Sequence, residues 1–217
     1  MAIRLVIFDL DGTLVDSMLD TTRAINNALR PYCLDNLSPT MVAQTLNVTN
    51  SVPKLVQNIL KKHCIETNAN SIIERYIKYY LSHPTDTANV YPQIPETLDA
   101  LKGYLKAVVS NKPGHLAERI INKLNLSKYF EIIVGGDNIA ERKPSPASII
   151  RILKNFNIRP AETIMVGDSK ADIDAGIAAQ VRTVAVTYGY GEPDFQREAD
   201  FVIPKMSCLL RIAKYMV

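Results

Sequence analysis

Short apolar runs that stop at polar turns recur along the chain. The first covers residues 3–8 and ends at the loop that begins with Asp9. Continuous apolar runs of this length, bounded by turns, are typical of parallel strands buried on both faces. The sequence predicts five such strands, over residues 3–8, 105–109, 131–134, 163–166 and 183–186.

In the intervals between the later strands, apolar residues recur at helical spacing. Leu116, Ile120 and Leu124 mark one helix, and a second is predicted after Ser145 and Pro146, which we expect to form its cap and first turn. Strand and helix therefore alternate. This order predicts an α/β fold built on an open parallel sheet.

The interval between the first strand and Tyr91 breaks this alternation. It shows only helical periodicities, around residues 24–29, 55–60 and 72–81, and no convincing strand. We expect residues 16–84 to form an all-helical cap domain, inserted into a core domain of residues 1–15 and 85–217.

Composition and charge narrow the function classes. Of 217 residues, 47% are hydrophobic and 22% charged, with a formal net charge of +3, as in an ordinary globular protein without a nucleic-acid-binding face. Three scattered cysteines suit neither a disulfide framework nor a zinc site. The apolar run before Asp9 is too short to span a membrane, so we expect a soluble, cytoplasmic protein with no membrane partner.

Two carboxylates follow the first strand. Asp9 and Asp11 are two residues apart, so their side chains point to one side of an extended segment at the carboxyl end of a buried strand. Such close like charges need a cation, and hard oxygen ligands suit Mg²⁺. Gly12 allows the backbone to turn close to a ligand. Alone, the pair is also explained as two exposed loop acids.

The same edge of the predicted sheet collects further polar groups. Ser110 and Asn111 follow the second strand, and Lys143 precedes a helix. Asp168 ends the fourth strand, with Asp172 in the predicted first turn beyond it. Each alone has an ordinary explanation as a turn, a surface lysine or a helix cap. Together they provide carboxylates for a metal, a hydroxyl for phosphate oxygens and a balancing cation, which favours phosphoryl transfer.

These residues resemble the four motifs of the haloacid dehalogenase superfamily, specifically its phosphatases of the phosphoglycolate phosphatase type. Residues 9–17 match the first motif, Ser110–Lys112 the second, Lys143–Pro144 the third, and Gly167–Asp168 with Asp172 the fourth. The resemblance implies a Rossmann-like core with a helical cap. It also implies Mg²⁺ as cofactor and a small phosphorylated metabolite as substrate.

The resemblance assigns roles to positions. Asp9 would be the nucleophile, and Asp11 the acid that protonates the leaving oxygen and then the base that activates water. Asp172 would orient the lysine or a water on the metal. The resemblance also implies a catalytic role for Ser110 and Lys143. It implies that the substrate is bound by Gly12, Thr13, Ser110, Asn111 and Lys143. The metal would be bound by Asp9, by the main-chain carbonyl of Asp11 and by Asp168.

Three positions depart from the usual family pattern. Residues 45–50 replace a glycine-containing cap stretch, and Gln93 and Gln180 stand where glycine is common. Because the cap sets specificity, the first departure leaves the substrate open. A sugar-phosphate mutase or a pyrophosphatase of the superfamily stays an alternative, as does a receiver-type phospho-accepting module, although the helical insertion argues against the last. A monomer and a homodimer are equally compatible with the sequence.

Overall fold

Eight strands are described in this computed structural model, which covers residues 2–139 and 141–215, with only the backbone of Tyr215. They are β1 Leu5–Phe8, β2 Val15–Asp16, β3 Asn89–Val90, β4 Leu105–Val109, β5 Ile132–Val134, β6 Thr163–Gly167, β7 Arg182–Val186 and β8 Phe201–Ile203. Six of them form one parallel sheet in the order β5-β4-β1-β6-β7-β8. All five strands predicted from the sequence belong to this sheet.

Both faces of the central strand β1 are buried, as its uninterrupted apolar run predicts. Leu5 and Ile7 of β1 face one hydrophobic cluster, whereas Val6 and Phe8 face the other. All four side chains are fully buried. Strand β1 pairs parallel with β4 on one side and with β6 on the other, so the carboxyl ends of these three strands lie side by side.

Nine α-helices are described. They are α1 Met18–Leu29, α2 Pro39–Thr49, α3 Val52–Lys62, α4 Ala69–Ser82, α5 Ile94–Ala100, α6 Gly114–Lys123, α7 Ala147–Phe156, α8 Lys170–Ala178 and α9 Leu209–Tyr215. Residues of α7 and α8 pack on one face of the sheet, and residues of α5, α6 and α9 on the other. The α/β fold with an open parallel sheet and a helical insertion is confirmed. None of the helices in the described ranges is long and apolar enough to cross a membrane.

The insertion contains helices α1 to α4. The sequence predicted α1, α3 and α4, and the Ser51 cap of α3 is confirmed, since its side chain accepts a hydrogen bond from the Lys54 amide. It missed α2, although Ser38 and Pro39 give the usual signal for a helix start. The exact limits of the cap, residues 16–84, stay a prediction.

The expectation of no strand before Tyr91 was wrong. Strands β2 and β3 pair antiparallel where the chain enters and leaves the insertion. Each has two residues, which is too short to produce a periodic pattern. Strand β8 was also missed, and its three residues include Val202, which is exposed.

The predicted cap of α7 was displaced by one residue. Pro146 occupies the N-cap position, and the Ser145 hydroxyl accepts a hydrogen bond from the Ala147 amide at 3.3 Å. Ser145 still satisfies an amide of the first turn of α7, so the serine and proline correctly predicted the start of a helix, displaced by one residue.

The two glutamines at usual glycine positions adopt positive φ angles. Gln93 has φ +66° at the start of α5, and Gln180 has φ +58° after α8. Glycine occupies this region without a steric cost. The backbone therefore retains the shape for which glycine is favoured at both positions.

Candidate active site

Asp9 stands at the centre of the sheet's carboxyl edge. It follows β1 directly, and its amide donates to the Val166 carbonyl of β6 at 2.9 Å, which continues the parallel ladder. The residue is only 7% exposed. Its carboxylate is therefore held in a largely desolvated position directly after β1.

Lys143 brings a cation to this carboxylate. Its Nζ donates to Asp9 Oδ1 at 2.5 Å, to Asp172 Oδ1 at 2.6 Å and to the Val109 carbonyl at 2.7 Å. Burial by itself lowers the pKa of Lys143, but Asp172 and Asp9 outweigh it and hold the pKa above its usual value. Lys143 is therefore a charged lysine with all three of its donors in use.

Asp172 holds Lys143 and begins α8 at the same time. Its Oδ2 accepts from the amide and the hydroxyl of Ser169, at 3.0 and 2.6 Å, in a capping box. Its Oδ1 is left for Lys143. The predicted position in the first turn and the contact with the lysine are both observed.

Asp168 lies beside Asp9 and Asp172. One oxygen from each of these three buried carboxylates falls within 4.8 Å of the other two. Burial raises the pKa of Asp9 well above its usual value and that of Asp168 to about 7, despite the nearby Lys143. When the three carboxylates are ionised, their negative charge exceeds the single positive charge of Lys143, so the cluster can accept a cation.

Asp11 points to a different set of partners. Its Oδ1 accepts from the Ser17 hydroxyl and from Lys112 Nζ, the latter at 2.9 Å. Lys112 also donates to the Tyr80 hydroxyl at 3.0 Å, so it links the acid to helix α4. The Asp11 carboxylate is not part of the three-carboxylate cluster. Sequence reasoning assigned Lys112 no role, although it stands inside the second motif.

Gly12 and Thr13 shape the surroundings of Asp168. Gly12 has φ +91°, and a Cβ there would lie 2.2 Å from Asp168 Oδ2. The Thr13 hydroxyl donates to Asp168 Oδ1 at 3.0 Å. Both residues therefore contact a carboxylate of the cluster, whereas their predicted contact with substrate stays a prediction.

Ser110 and Asn111 differ in their surroundings. Ser110 is buried at the edge of the site, and its hydroxyl accepts from the Lys112 amide at 3.1 Å. The Asn111 side chain bonds both the amide and the carbonyl of Lys143, at 2.9 and 3.0 Å, and donates to the Asn50 carbonyl at 3.0 Å. Asn111 thus fixes the loop that carries Lys143 and joins it to the insertion.

A cavity of about 300 Å³ lies between these residues and the insertion. Its floor includes Asp9, Asp11, Ser110, Lys143 and Asp168. None of the residues that α1 to α4 contribute to its wall is charged, and the apolar ones are Met18, Ala43, Leu46, Val52, Pro53, Ile73, Tyr76 and Ile77. The charged groups are therefore confined to the sheet side of the cavity.

Tyr190 is a site residue that sequence reasoning missed. It lies in the loop after β7, and its amide donates to Asp168 Oδ2 at 2.7 Å. The available signal was its position between Gly189 and Gly191, which favours a backbone that approaches another group closely.

Comparison with known proteins identifies the family of the chain. The family described as haloacid dehalogenase-like hydrolase matches residues 6–186. The phosphoglycolate phosphatase of Aquifex aeolicus is 37% identical over 211 residues, covering 96% of both chains. That of Haemophilus influenzae is 33% identical over 220 residues, covering 96% of this chain and 97% of the relative.

A solved structure agrees over the whole fold. The crystal structure of a predicted phosphoglycolate phosphatase from Haemophilus somnus 129pt superposes with a TM-score of 0.87 at 30% identity, covering 98% of both chains. The family match over residues 6–186 includes Asp9, Ser110, Lys143 and Asp168. This chain belongs to the haloacid dehalogenase-like hydrolases.

Proposed function

We propose that this chain is a Mg²⁺-dependent phosphatase that hydrolyses a small phosphomonoester of the phosphoglycolate type through an aspartyl-phosphate on Asp9. The observation that carries the proposal is the contact of Lys143 with Asp9 inside a buried cluster of three carboxylates. The named relatives act on phosphoglycolate, and this supports the substrate class.

The donor set fits Mg²⁺. Buried carboxylates offer hard oxygen ligands. Burial and the neighbouring carboxylate of Asp172 raise the pKa of Asp9 and of Asp168, and a bound cation would favour their ionised forms. Asp9 and Asp168 would hold the ion, together with the Asp11 main-chain carbonyl that the resemblance implies. When bound, the ion neutralises the charge of the phosphate oxygens.

Asp9 performs the first step. One of its carboxylate oxygens attacks phosphorus, so an O–P bond to Asp9 forms as the bond to the leaving oxygen breaks. Asp11 gives its proton to the leaving oxygen. Lys143 and the Ser110 hydroxyl stabilise the charge on the transferring group, and Lys143 offsets the repulsion between two anions.

Water completes the cycle. Asp11, now ionised, takes a proton from a water molecule that attacks the phosphorus of the aspartyl-phosphate. The Asp9–phosphate bond breaks, inorganic phosphate leaves, and Asp9 and Asp11 return to their starting states. The insertion covers the cavity and excludes bulk water from the intermediate.

The proposal includes the arrangement of the whole chain. Residues 16–84 act as the cap and residues 1–15 and 85–217 as the catalytic core, since the cavity lies between α1–α4 and the sheet edge. A cytoplasmic location and a monomeric or homodimeric state are further predictions from the sequence.

A phosphate-release assay over phosphorylated metabolites tests the function. We expect release from a small phosphomonoester in the presence of Mg²⁺ and none after chelation. Asp9→Asn abolishes release, whereas Asp174→Asn, which changes a half-exposed partner of Lys170, retains it. Release that persists in Asp9→Asn would contradict the nucleophile, and interconversion of sugar phosphates without release would indicate a mutase.

A further inference from the structure

We propose that Tyr190 is a positioning residue that couples docking of the inserted helices to the Asp168 carboxylate. The inference rests on the proposed metal site but not on the identity of the substrate. Three separate groups of Tyr190 carry it: the amide, the hydroxyl and the carbonyl.

The amide of Tyr190 contacts Asp168 directly. It donates to Asp168 Oδ2 at 2.7 Å, while Thr13 donates to Oδ1. The neighbouring glycines leave no room between loop and carboxylate, because a Cβ at Gly189 would lie 2.3 Å from the Asp168 Cβ, and one at Gly191 would lie 1.8 Å from its carbonyl oxygen. Displacement of this loop therefore alters the orientation of Asp168.

The hydroxyl of Tyr190 caps the N-terminus of helix α1. It accepts from the amides of Ser17 and Met18, at 2.7 and 3.0 Å, and donates to Asp16 Oδ1 at 2.6 Å. The Ser17 side chain makes no capping bond of its own. Tyr190 thus satisfies the first amides of the helix through which the chain enters the insertion.

The carbonyl of Tyr190 makes a second hydrogen bond to the insertion. It accepts from Asn47 Nδ2 at 2.9 Å, and Asn47 belongs to α2. Asn47 lies within residues 45–50, the segment that departs from the usual family pattern. This departure therefore supplies a contact between α2 and the loop that holds Asp168.

Because Tyr190 contacts Asp168, α1 and α2 at once, the position of these helices is coupled to the orientation of the Asp168 carboxylate. If α1 or α2 moves away from the sheet, it pulls on the loop that donates to Asp168, and the carboxylate loses one of its two donors. Docked helices therefore favour the carboxylate orientation that binds a metal. By linkage, a bound metal favours the docked helices to the same extent.

Binding of Mn²⁺ to the full-length chain without substrate tests the coupling, with Mn²⁺ as the probe for an oxygen-ligand site. We expect Tyr190→Phe and Asn47→Ala each to weaken Mn²⁺ binding by about three- to tenfold, the effect of the hydrogen bonds that each variant loses. Tyr104→Phe is the matched control, since its hydroxyl contacts the Ala213 carbonyl at 3.4 Å, away from the site. It should leave the Mn²⁺ Kd unchanged.

Activity provides a second readout. In Tyr190→Phe, kcat should recover toward the wild-type value as Mg²⁺ is raised, because saturation restores the bound state. Melting temperatures of all variants, measured in parallel, separate coupling from a loss of fold.

Two outcomes overturn the inference. If Tyr190→Phe lowers the melting temperature but binds Mn²⁺ as tightly as the wild type does, the residue is only structural, and the proposed function is unaffected. A wild-type chain that binds no Mn²⁺ would remove the proposed metal site and this inference together.

Discussion

Lys143 Nζ lies 2.5 Å from Asp9 Oδ1, although the two residues are 134 positions apart in the sequence. The contact pairs the proposed nucleophile with a cation that stabilises its free carboxylate and that, in the proposed mechanism, would lie beside the transferring phosphoryl group. Asp172, on the other side of the lysine, keeps it in place.

Replacement of Lys143 by methionine should affect both stability and activity. The variant leaves Asp9 and Asp172 buried without their cation, so the free energy of unfolding should fall by about 3 kcal/mol. Loss of a charge-stabilising donor should also lower kcat by at least about 100-fold. Urea unfolding and phosphate release measure the two effects.

Lys170→Met is the matched control for that variant. Its ion pairs with Asp174 and Glu198 are exposed, so removal should cost less than about 1 kcal/mol and leave kcat unchanged. Equal losses in the two variants would contradict the role assigned to Lys143.

Replacement of Gly12 by alanine should impair metal binding. The new Cβ would collide with the Asp168 carboxylate, and φ +91° disfavours any residue with a side chain. We expect the free energy of unfolding to fall by more than about 1 kcal/mol and Mg²⁺ binding, measured by calorimetry, to weaken. Gly103→Ala, where a Cβ meets no atom within 4 Å, should change neither quantity. Normal Mg²⁺ affinity in the Gly12 variant would show that Asp168 tolerates displacement.

Stabilisation by Mg²⁺ should depend on pH. Burial raises the pKa of Asp168 to about 7 and that of Asp9 well above its usual value in the metal-free protein. Between the unfolded pKa of about 4 and the native values, the native state holds protons that the unfolded chain has lost, so the stability of the metal-free protein decreases as pH rises through this window.

Mg²⁺ binds the ionised carboxylates, so protons compete with it below about pH 7. The rise in melting temperature on adding Mg²⁺ should therefore be larger at about pH 8 than at about pH 6. Thermal unfolding at both pH values checks this, and Asp168→Asn should reduce the difference. An equal rise at both pH values would contradict the raised pKa values.

Asp20 should contribute strongly to stability. It is 3% exposed, and its carboxylate accepts from the amide and the hydroxyl of Thr87 and from the Ala88 amide, so it ties α1 to the chain segment that returns to the core. Asp20→Ala leaves these donors unsatisfied and should cost about 1–3 kcal/mol in urea unfolding. Asp174→Ala, which removes an exposed ion pair, should cost about 0.5 kcal/mol or less. Similar costs for the two variants would contradict this account.

Much of the site could be predicted because it depends on strand ends. The apolar runs before Asp9, Ser110 and Asp168 predict parallel strands, and parallel strands bring their carboxyl ends to one edge. Proximity of these residues therefore follows from local patterns that the sequence displays. The same patterns placed Asp172 in the first turn of α8.

Contacts between loops could not be predicted in the same way. Nothing local to Lys112 indicates that it meets Asp11 and Tyr80, and nothing local to Tyr190 indicates its bonds to Ser17, Met18 and Asn47. The two-residue strands β2 and β3 likewise depend on each other and not on a pattern of their own.

By itself, the sequence determined the parallel sheet, the helical insertion and the edge of the sheet at which the candidate site residues lie. Periodicity reports which face of each element is buried, and strand direction then sets which ends meet. Only the tertiary structure decided that Lys143 reaches Asp9, that Asn111 holds the Lys143 loop and that Tyr190 joins Asp168 to the insertion. These contacts depend on the paths of irregular segments, whose side-chain partners lie far away in the chain and are selected by packing and hydrogen-bond satisfaction.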